Sequence, residues 1–193
     1  MGANMKSQDI VVLLKLICLQ EQESQGWPDH PQWASSADSV YTVRSLAALL
    51  RISKSEINGS ILRSMASGLA IKDRQTGRPN PNRRNLYNFI VHGLKYVFPA
   101  KPGAMTRGMP TAFAAPMLNG LLMTGGDYIY VWPFAEGNDM GQSVEPLFKS
   151  VPYAAQQDKR LYEYLALADA IRLGKQREAG FASARLEESL LAQ

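Results

Sequence analysis

Apolar residues recur at helical spacing near the start of the chain. Ile10, Leu13, Leu14, Ile17 and Cys18 share one side of a helix that Ser7 can cap and that runs to about Gln22. Residues 26–31 then break regular structure, because neither Pro28 nor Pro31 suits a helix interior. Thr42 caps a short helix over 43–50, and Ser53 caps another that reaches about Ser67 and stops at Gly68. Residues 75–82 form a turn-rich loop. Leu86, Ile90, Leu94 and Val97 predict a helix over 83–96, with a strand as the alternative because Phe89, Ile90 and Val91 favour one. The stretch 99–120 holds four prolines and three glycines and reads as an irregular connection. A strand over 128–132, turn residues at 137–139 and a second strand over 142–147 read as a hairpin. From Asp158 the spacing is helical again. Leu161, Tyr164, Leu165, Ala168, Ile171 and Arg172 mark one face, Gly174 ends or bends the helix, and a last helix reaches about Leu191.

The expected fold class is therefore mainly α: a helix-turn-helix, winged-helix-like N-terminal domain with a small β-hairpin and C-terminal helices. The expected organisation is a DNA-binding domain over 1–98, an irregular connection over 99–126, and a hairpin plus helical module over 127–193 for dimerisation or partner binding.

The segment 45–62 carries the chemistry. A helix-turn-helix needs a small residue where its helices cross, and Ala47 supplies it; Ile52 is the apolar plug of the turn. Ser53 and Glu56 have the spacing of a capping box, which fixes where the second helix begins. Ile57, Ile61 and Leu62 are expected to face the first helix. Lys54, Ser55, Asn58, Gly59 and Arg63 then face outward, where Lys, Asn and Arg can read purine edges or hold phosphates.

Charge supports this placement. Residues 44–84 carry nine basic side chains (Arg44, Arg51, Lys54, Arg63, Lys72, Arg74, Arg78, Arg83 and Arg84) against Glu56 and Asp73, whereas 1–43 and 127–193 are each net acidic. Positive charge gathered in one segment of a chain with a net charge of only +4 is the footprint of a polyanion-binding face.

From Thr42 to Ile71, including the Gly68-Leu69-Ala70-Ile71 that follows the second helix, the chain resembles the winged helix-turn-helix domains of MarR-like bacterial regulators. The resemblance implies DNA contacts at Lys54, Ser55, Asn58 and Arg63. It sets Arg74, Arg78, Arg83 and Arg84 on or beside the wing, against backbone or minor groove. Many members have Gly in the turn where this chain has Arg51, which implies an altered turn or a phosphate contact at Arg51. Residues 69–72 could be the first wing strand, with no evident return strand before residue 83. With Arg44 and Lys72 added from the basic segment, these residues make up the expected DNA-facing set. Stretches 92–99 and 106–111 also loosely resemble uncharacterised proteobacterial helix-turn-helix proteins, some of toxin–antitoxin or defence loci.

Nothing assembles a catalytic site. His92 lies among apolar residues and reads as a core histidine, and His30 has no acid or cysteine beside it in sequence. Asp169 and Glu163, like Glu187 and Glu188, read as solvated helix faces. Residues 124–127 are a turn before a strand and not a phosphate loop, since no Lys-Ser/Thr follows. The apolar 104–123 segment, with Met105, Met109, Met117 and Met123, reads as core or as a groove for an effector or peptide. Cys18 is the single cysteine, so no internal disulfide forms and no metal cluster is evident; with no apolar run long enough for a bilayer and no leader pattern, a cytoplasmic protein is expected. The expectation is a dimeric, sequence-specific repressor of double-stranded DNA without enzymatic activity, cofactor or metal, and without membrane contact. The alternative is an antitoxin or defence-complex protein whose main role is binding a protein encoded nearby. RNA binding ranks third, because few aromatics interleave with the basic residues.

Overall fold

A computed structural model describes residues 4–26, 37–121 and 128–191. The expectations for His30, Met123 and the 124–127 turn, and most of the 26–31 break, lie outside the described residues. The chain is mostly helical, with two small sheets. It divides into two compact units, Met1–Asn85 and Leu86–Gln193.

The first unit opens with helix α1 (Ser7–Ser24), capped by Lys6, whose backbone N–H donates to the Asp9 carboxylate. Its burial is not confined to one face: Val11, Val12, Leu16 and Leu19 are as buried as Ile10 and Leu14. Apolar residues fill almost every position from 10 to 19, and a helix that is apolar all round is a buried one. The short α2 (Ala37–Val40) leads to α3 (Val43–Leu50), whose first turn is capped by the Thr42 hydroxyl accepting from the Ser45 N–H. Helix α4 (Lys54–Ala66) follows a three-residue turn.

Gly68, at φ +73°, turns the chain into a two-stranded antiparallel ribbon, β1 (Ala70–Lys72) and β2 (Pro79–Pro81). The partner of β1, which the sequence did not disclose, is Pro79-Asn80-Pro81. Proline cannot donate to a ladder, so it reads as a strand breaker, yet an edge strand tolerates it because one side of its backbone goes unpaired. The ladder is extended by the Asn82 N–H donating to the Leu69 carbonyl. Helix α5 (Arg83–His92) then begins, and Gly93 separates it from the short α6 (Leu94–Val97), so 83–96 is helical and not a strand. His92 is exposed at the end of α5, not in the core.

The second unit contains a three-stranded sheet: β3 (Met105–Pro110), β4 (Tyr130–Pro133) and β5 (Asp139–Ser143). Strand β3 lies inside the stretch read as an irregular connection. The expected hairpin is not formed. Strands β4 and β5 are parallel to one another, and each pairs antiparallel with a different part of β3, which closes the three strands on themselves. Gly108 belongs to both ladders, opposite Pro133 and Asp139. Gly137 packs against the Gly108 backbone so closely that a Cβ at either residue would meet main-chain atoms. The glycines that look like loop punctuation are where strands touch.

A 3-10 turn (Ala112–Ala114) follows β3, and α7 (Val151–Gln157), α8 (Lys159–Leu173) and α9 (Gln176–Leu191) complete the unit. Helix α8 is buried on every side and not along one face. Asp169, expected in solvent, is buried; its carboxylate accepts from Thr111 Oγ1 (2.9 Å) and Trp132 Nε1 (2.6 Å) and pairs with Arg172 Nη1 at 2.7 Å. Burial pushes its carboxyl pKa up, opposed by Arg172 and by the Trp132 and Thr111 bonds. Arg172 also donates to the Phe98 and Glu145 carbonyls. Glu163 likewise leaves its expected solvated face: it pairs with Arg160 and Arg185 and is 12% exposed.

The close approach at Gly108 gives the fold a direct test. Gly108→Ala should lower stability by about 1–3 kcal/mol, as overpacking against fixed backbone does. Gly180→Ala, in helix α9 with open space around it, should raise stability by about 0.5–1 kcal/mol. Urea midpoints read both; equal shifts would contradict the strand closure.

Candidate nucleic-acid interface

The site is built on α3, the turn and α4, all in the first unit. Arg51 closes α3 in the left-handed region (φ 49°, ψ 43°), the conformation that favours glycine, and its N–H returns to the Ala47 carbonyl. The turn therefore keeps a glycine-type backbone with an arginine in it, at a cost of roughly 1–2 kcal/mol. Ile52 is buried in the turn, as its apolar character predicts. Ser53 caps α4 by accepting from the Glu56 N–H at 3.3 Å.

Only half of the expected capping box forms. The Glu56 carboxylate turns instead to Lys6 Nζ (3.1 Å) and Gln8 Nε2, tying the start of α4 to the start of α1. The bond from Lys6, then that from Gln8, holds its carboxyl below the ordinary carboxylate range.

The roll of α4 about its axis is set by Asp9. This carboxylate has no solvent exposure. It accepts from Ser60 Oγ (2.7 Å), from Arg63 Nε (2.9 Å) and from Arg63 Nη2 (2.7 Å). The buried face of α4 is accordingly Ile57, Ser60 and Ser64. Two expectations are corrected. Arg63 does not face outward; its side chain is 10% exposed and its guanidinium is committed to Asp9. Leu62 is not buried; it is 59% exposed. At 100° per residue, a helix that buries 57, 60 and 64 presents 55, 58, 59 and 62 on the opposite side. Gly59 lies under the Arg63 guanidinium, where a Cβ would stand 3.0 Å from Nη1.

The C-terminal turn of α1 engages two more of the expected DNA-facing residues. Glu23 pairs with Arg78 at 3.1 Å and accepts from the Tyr41 hydroxyl at 2.7 Å, while the Arg78 guanidinium lies 4.4 Å over the Tyr41 ring. Burial and the Glu23 contact together push the Tyr41 hydroxyl pKa up. Glu21 pairs with Arg83 at 3.2 Å. Gln20 donates to the Asn80 side chain of β2 at 3.0 Å, so the ribbon is held from α1. At the ribbon's tip, Asp73 accepts from the Gln75 and Thr76 amides and the Thr76 hydroxyl, which also depresses its pKa.

Exposed in this unit are Arg44, Arg51, Lys54, Ser55, Asn58, Lys72, Arg74 and Arg84. Sequence reasoning missed the acids Asp9, Glu21 and Glu23, which decide where three arginines point. The signal was present in part: Asp9 sits against an apolar run, and a carboxylate drawn into a core must find a cation. No family model, curated protein or solved structure matches the chain. Among the described residues no helix is long and apolar enough to cross a membrane, and no His, Cys, Asp or Glu group is placed to hold a metal.

Two outcomes follow from this geometry. Arg63→Ala, which strands a buried carboxylate, should cost about 3–5 kcal/mol. Lys54→Ala should stay within about 0.5 kcal/mol of wild type. The Asp9→Ala/Arg63→Ala double variant should cost much less than the two single changes added, as read by denaturant unfolding. The depressed Glu56 carboxyl gives the pH sign. Its stabilising contribution is complete above the ordinary value of 4.5 and fades as pH falls through the lowered one. Glu56→Gln should flatten that acid limb of the stability profile.

Proposed function

We propose that this protein is a sequence-specific regulator that binds double-stranded DNA, with α4 as recognition helix and the β1–β2 ribbon as wing, in the manner of MarR-like regulators. The observation that carries the reading is the row Lys54, Ser55 and Asn58. These polar, exposed residues occupy the first two turns of a helix whose start is fixed by Ser53 and whose roll is fixed by Asp9. N-terminal residues of such a helix reach base edges in the major groove. Asn58 has the amide that pairs with adenine edges, and Lys54 can take guanine or phosphate. Lys72 and Arg74, on and beyond β1, supply cations for the flanking backbone, as do Arg44, Arg51 and Arg84 on their own elements. Arg63, Arg78 and Arg83 act by holding the scaffold and not by touching DNA. The protein works as a homodimer on paired half-sites and represses by occluding a promoter, with no catalytic step.

One observation favours a second reading. Leu62 continues the outward row of α4 at 59% exposure, and Ile71 on β1 is 58% exposed. Large apolar side chains beside a polar row suit a protein surface, as in an antitoxin or defence-complex subunit that neutralises a partner.

Gel shifts with the DNA upstream of its own coding sequence decide between them. Binding should weaken steeply with salt; Lys54→Ala and Asn58→Ala should each cost about 1–3 kcal/mol on the preferred sequence, and Arg74→Ala should lower the salt slope by about 1. Undiminished binding by the Lys54→Ala/Asn58→Ala double variant would sink the recognition-helix assignment. Absence of DNA binding, with a Leu62→Glu-sensitive complex with a neighbouring gene product, would establish the second reading.

A further inference from the structure

We propose that the second unit binds a small apolar anion, of the medium-chain carboxylate class, in a cavity beside the first turn of α8. The cavity measures about 710 Å³, within the roughly 300–1,000 Å³ usual for small-ligand sites. Its apolar wall is made by Met109, Pro116, Met117, Ala155 and the ring of Tyr162. Two of these are methionines, whose flexible thioethers fit chains of varied shape. The Tyr162 hydroxyl is already spent on the Pro110 carbonyl, at 2.5 Å, so this residue offers its ring to a ligand and not a donor.

The rim carries the choice of charge. Lys159, Arg160 and Glu163 all border the cavity. Glu163 is bracketed by Arg160 (2.9 Å) and Arg185 (3.2 Å), and Arg160 also reaches the Ser189 carbonyl and lies 4.6 Å over the Tyr164 ring. The one carboxylate at the rim is therefore neutralised from two sides. Lys159 is exposed and makes no ion pair among the described residues. The amides of Arg160 and Leu161 do not serve an anion, because the Asp158 carboxylate caps both. Recognition falls to the Lys159 ammonium, with the exposed Gln156 amide beside it. A ligand with a carboxylate head and an apolar body matches both halves of the site. A cation or a wholly polar anion matches one half or neither.

The site stands independently of DNA binding, and its test contains no DNA. Calorimetric titration of the full chain compares octanoate, 1-octanol, octylammonium and acetate. Octanoate should bind with one equivalent per chain, about fivefold or more tighter than octanol, with octylammonium and acetate weaker still. Lys159→Gln should reduce octanoate affinity about fivefold and leave octanol nearly unchanged, and Lys159→Arg should restore the preference. The exposed position of Lys159 makes these variants safe for folding. Failure of octanoate to bind at millimolar concentration would overturn the proposal. So would equal affinity for octanoate and octanol, acetate binding as well as octanoate, or indifference to Lys159→Gln.

Discussion

The first unit is organised around a carboxylate with no solvent exposure. Asp9 lies at the start of a helix buried all round from Gln8 to Leu19, and an ionised carboxylate there is tolerable only if its acceptor positions are filled and its charge is met. Arg63 supplies the charge through two nitrogens, Ser60 a hydroxyl and Lys6 a backbone amide. Because Ser60 and Arg63 belong to one helix, meeting Asp9 leaves α4 a single rotational setting against α1. Every statement about which residues face outward follows from that setting. Serines at the buried positions 60 and 64 would be unusual for a helix packed by apolar contact alone, but small side chains allow α4 to approach Asp9 closely.

This dependence explains what could and could not be read from the sequence. The caps at Thr42 and Ser53, the plug at Ile52 and the stop at Gly68 were legible because each acts within a few residues of itself. The roll of α4 was not, because its determinant lies more than fifty residues away in another helix. A count of apolar positions put Leu62 inside and Arg63 outside, and the ion pair reverses both. Strand β2 was hidden by its prolines, and β3 by the glycine at its centre. In each case a residue with a strong local meaning was used for a tertiary one. The all-round burial of α1 and α8 is not legible in their spacing, because Asp9 and Asp169, polar residues that by themselves suggest a wet side, are partnered inside.

The second unit solves the same problem again. Asp169 is buried among Thr111, Trp132 and Arg172, which joins the end of β3, strand β4 and helix α8 through one carboxylate. Arg172 then reaches the backbone at Phe98 and Glu145. Tyr162 adds a second tie, from α8 to the Pro110 carbonyl, with its ring 5.6 Å from that of Trp132. Strands as short as β3, β4 and β5 have few ladder bonds of their own, so their position rests on these side-chain ties. The same ties fix the Tyr162 ring that forms part of the wall of the α8 cavity.

The ion pairs also change what the basic segment means. A strip of nine cations against two anions looks like a face devoted wholly to a polyanion, yet three of those cations are met by Asp9, Glu21 and Glu23 of α1. The acidic excess of the first 43 residues is thus no separate feature; part of it is the counterweight folded against the basic strip. The exposed cations that remain are spread over α3, its turn, the start of α4, the ribbon and the start of α5. A spread of this kind fits a backbone that passes several elements better than a compact anion held at one point. On the proposed DNA-binding reading, sequence choice would rest on few groups, Asn58 foremost, since phosphate contacts position a protein without telling one base from another. The three paired arginines act within the scaffold: against acids of α1, Arg63 holds α4, Arg78 the approach to β2 and Arg83 the first residue of α5.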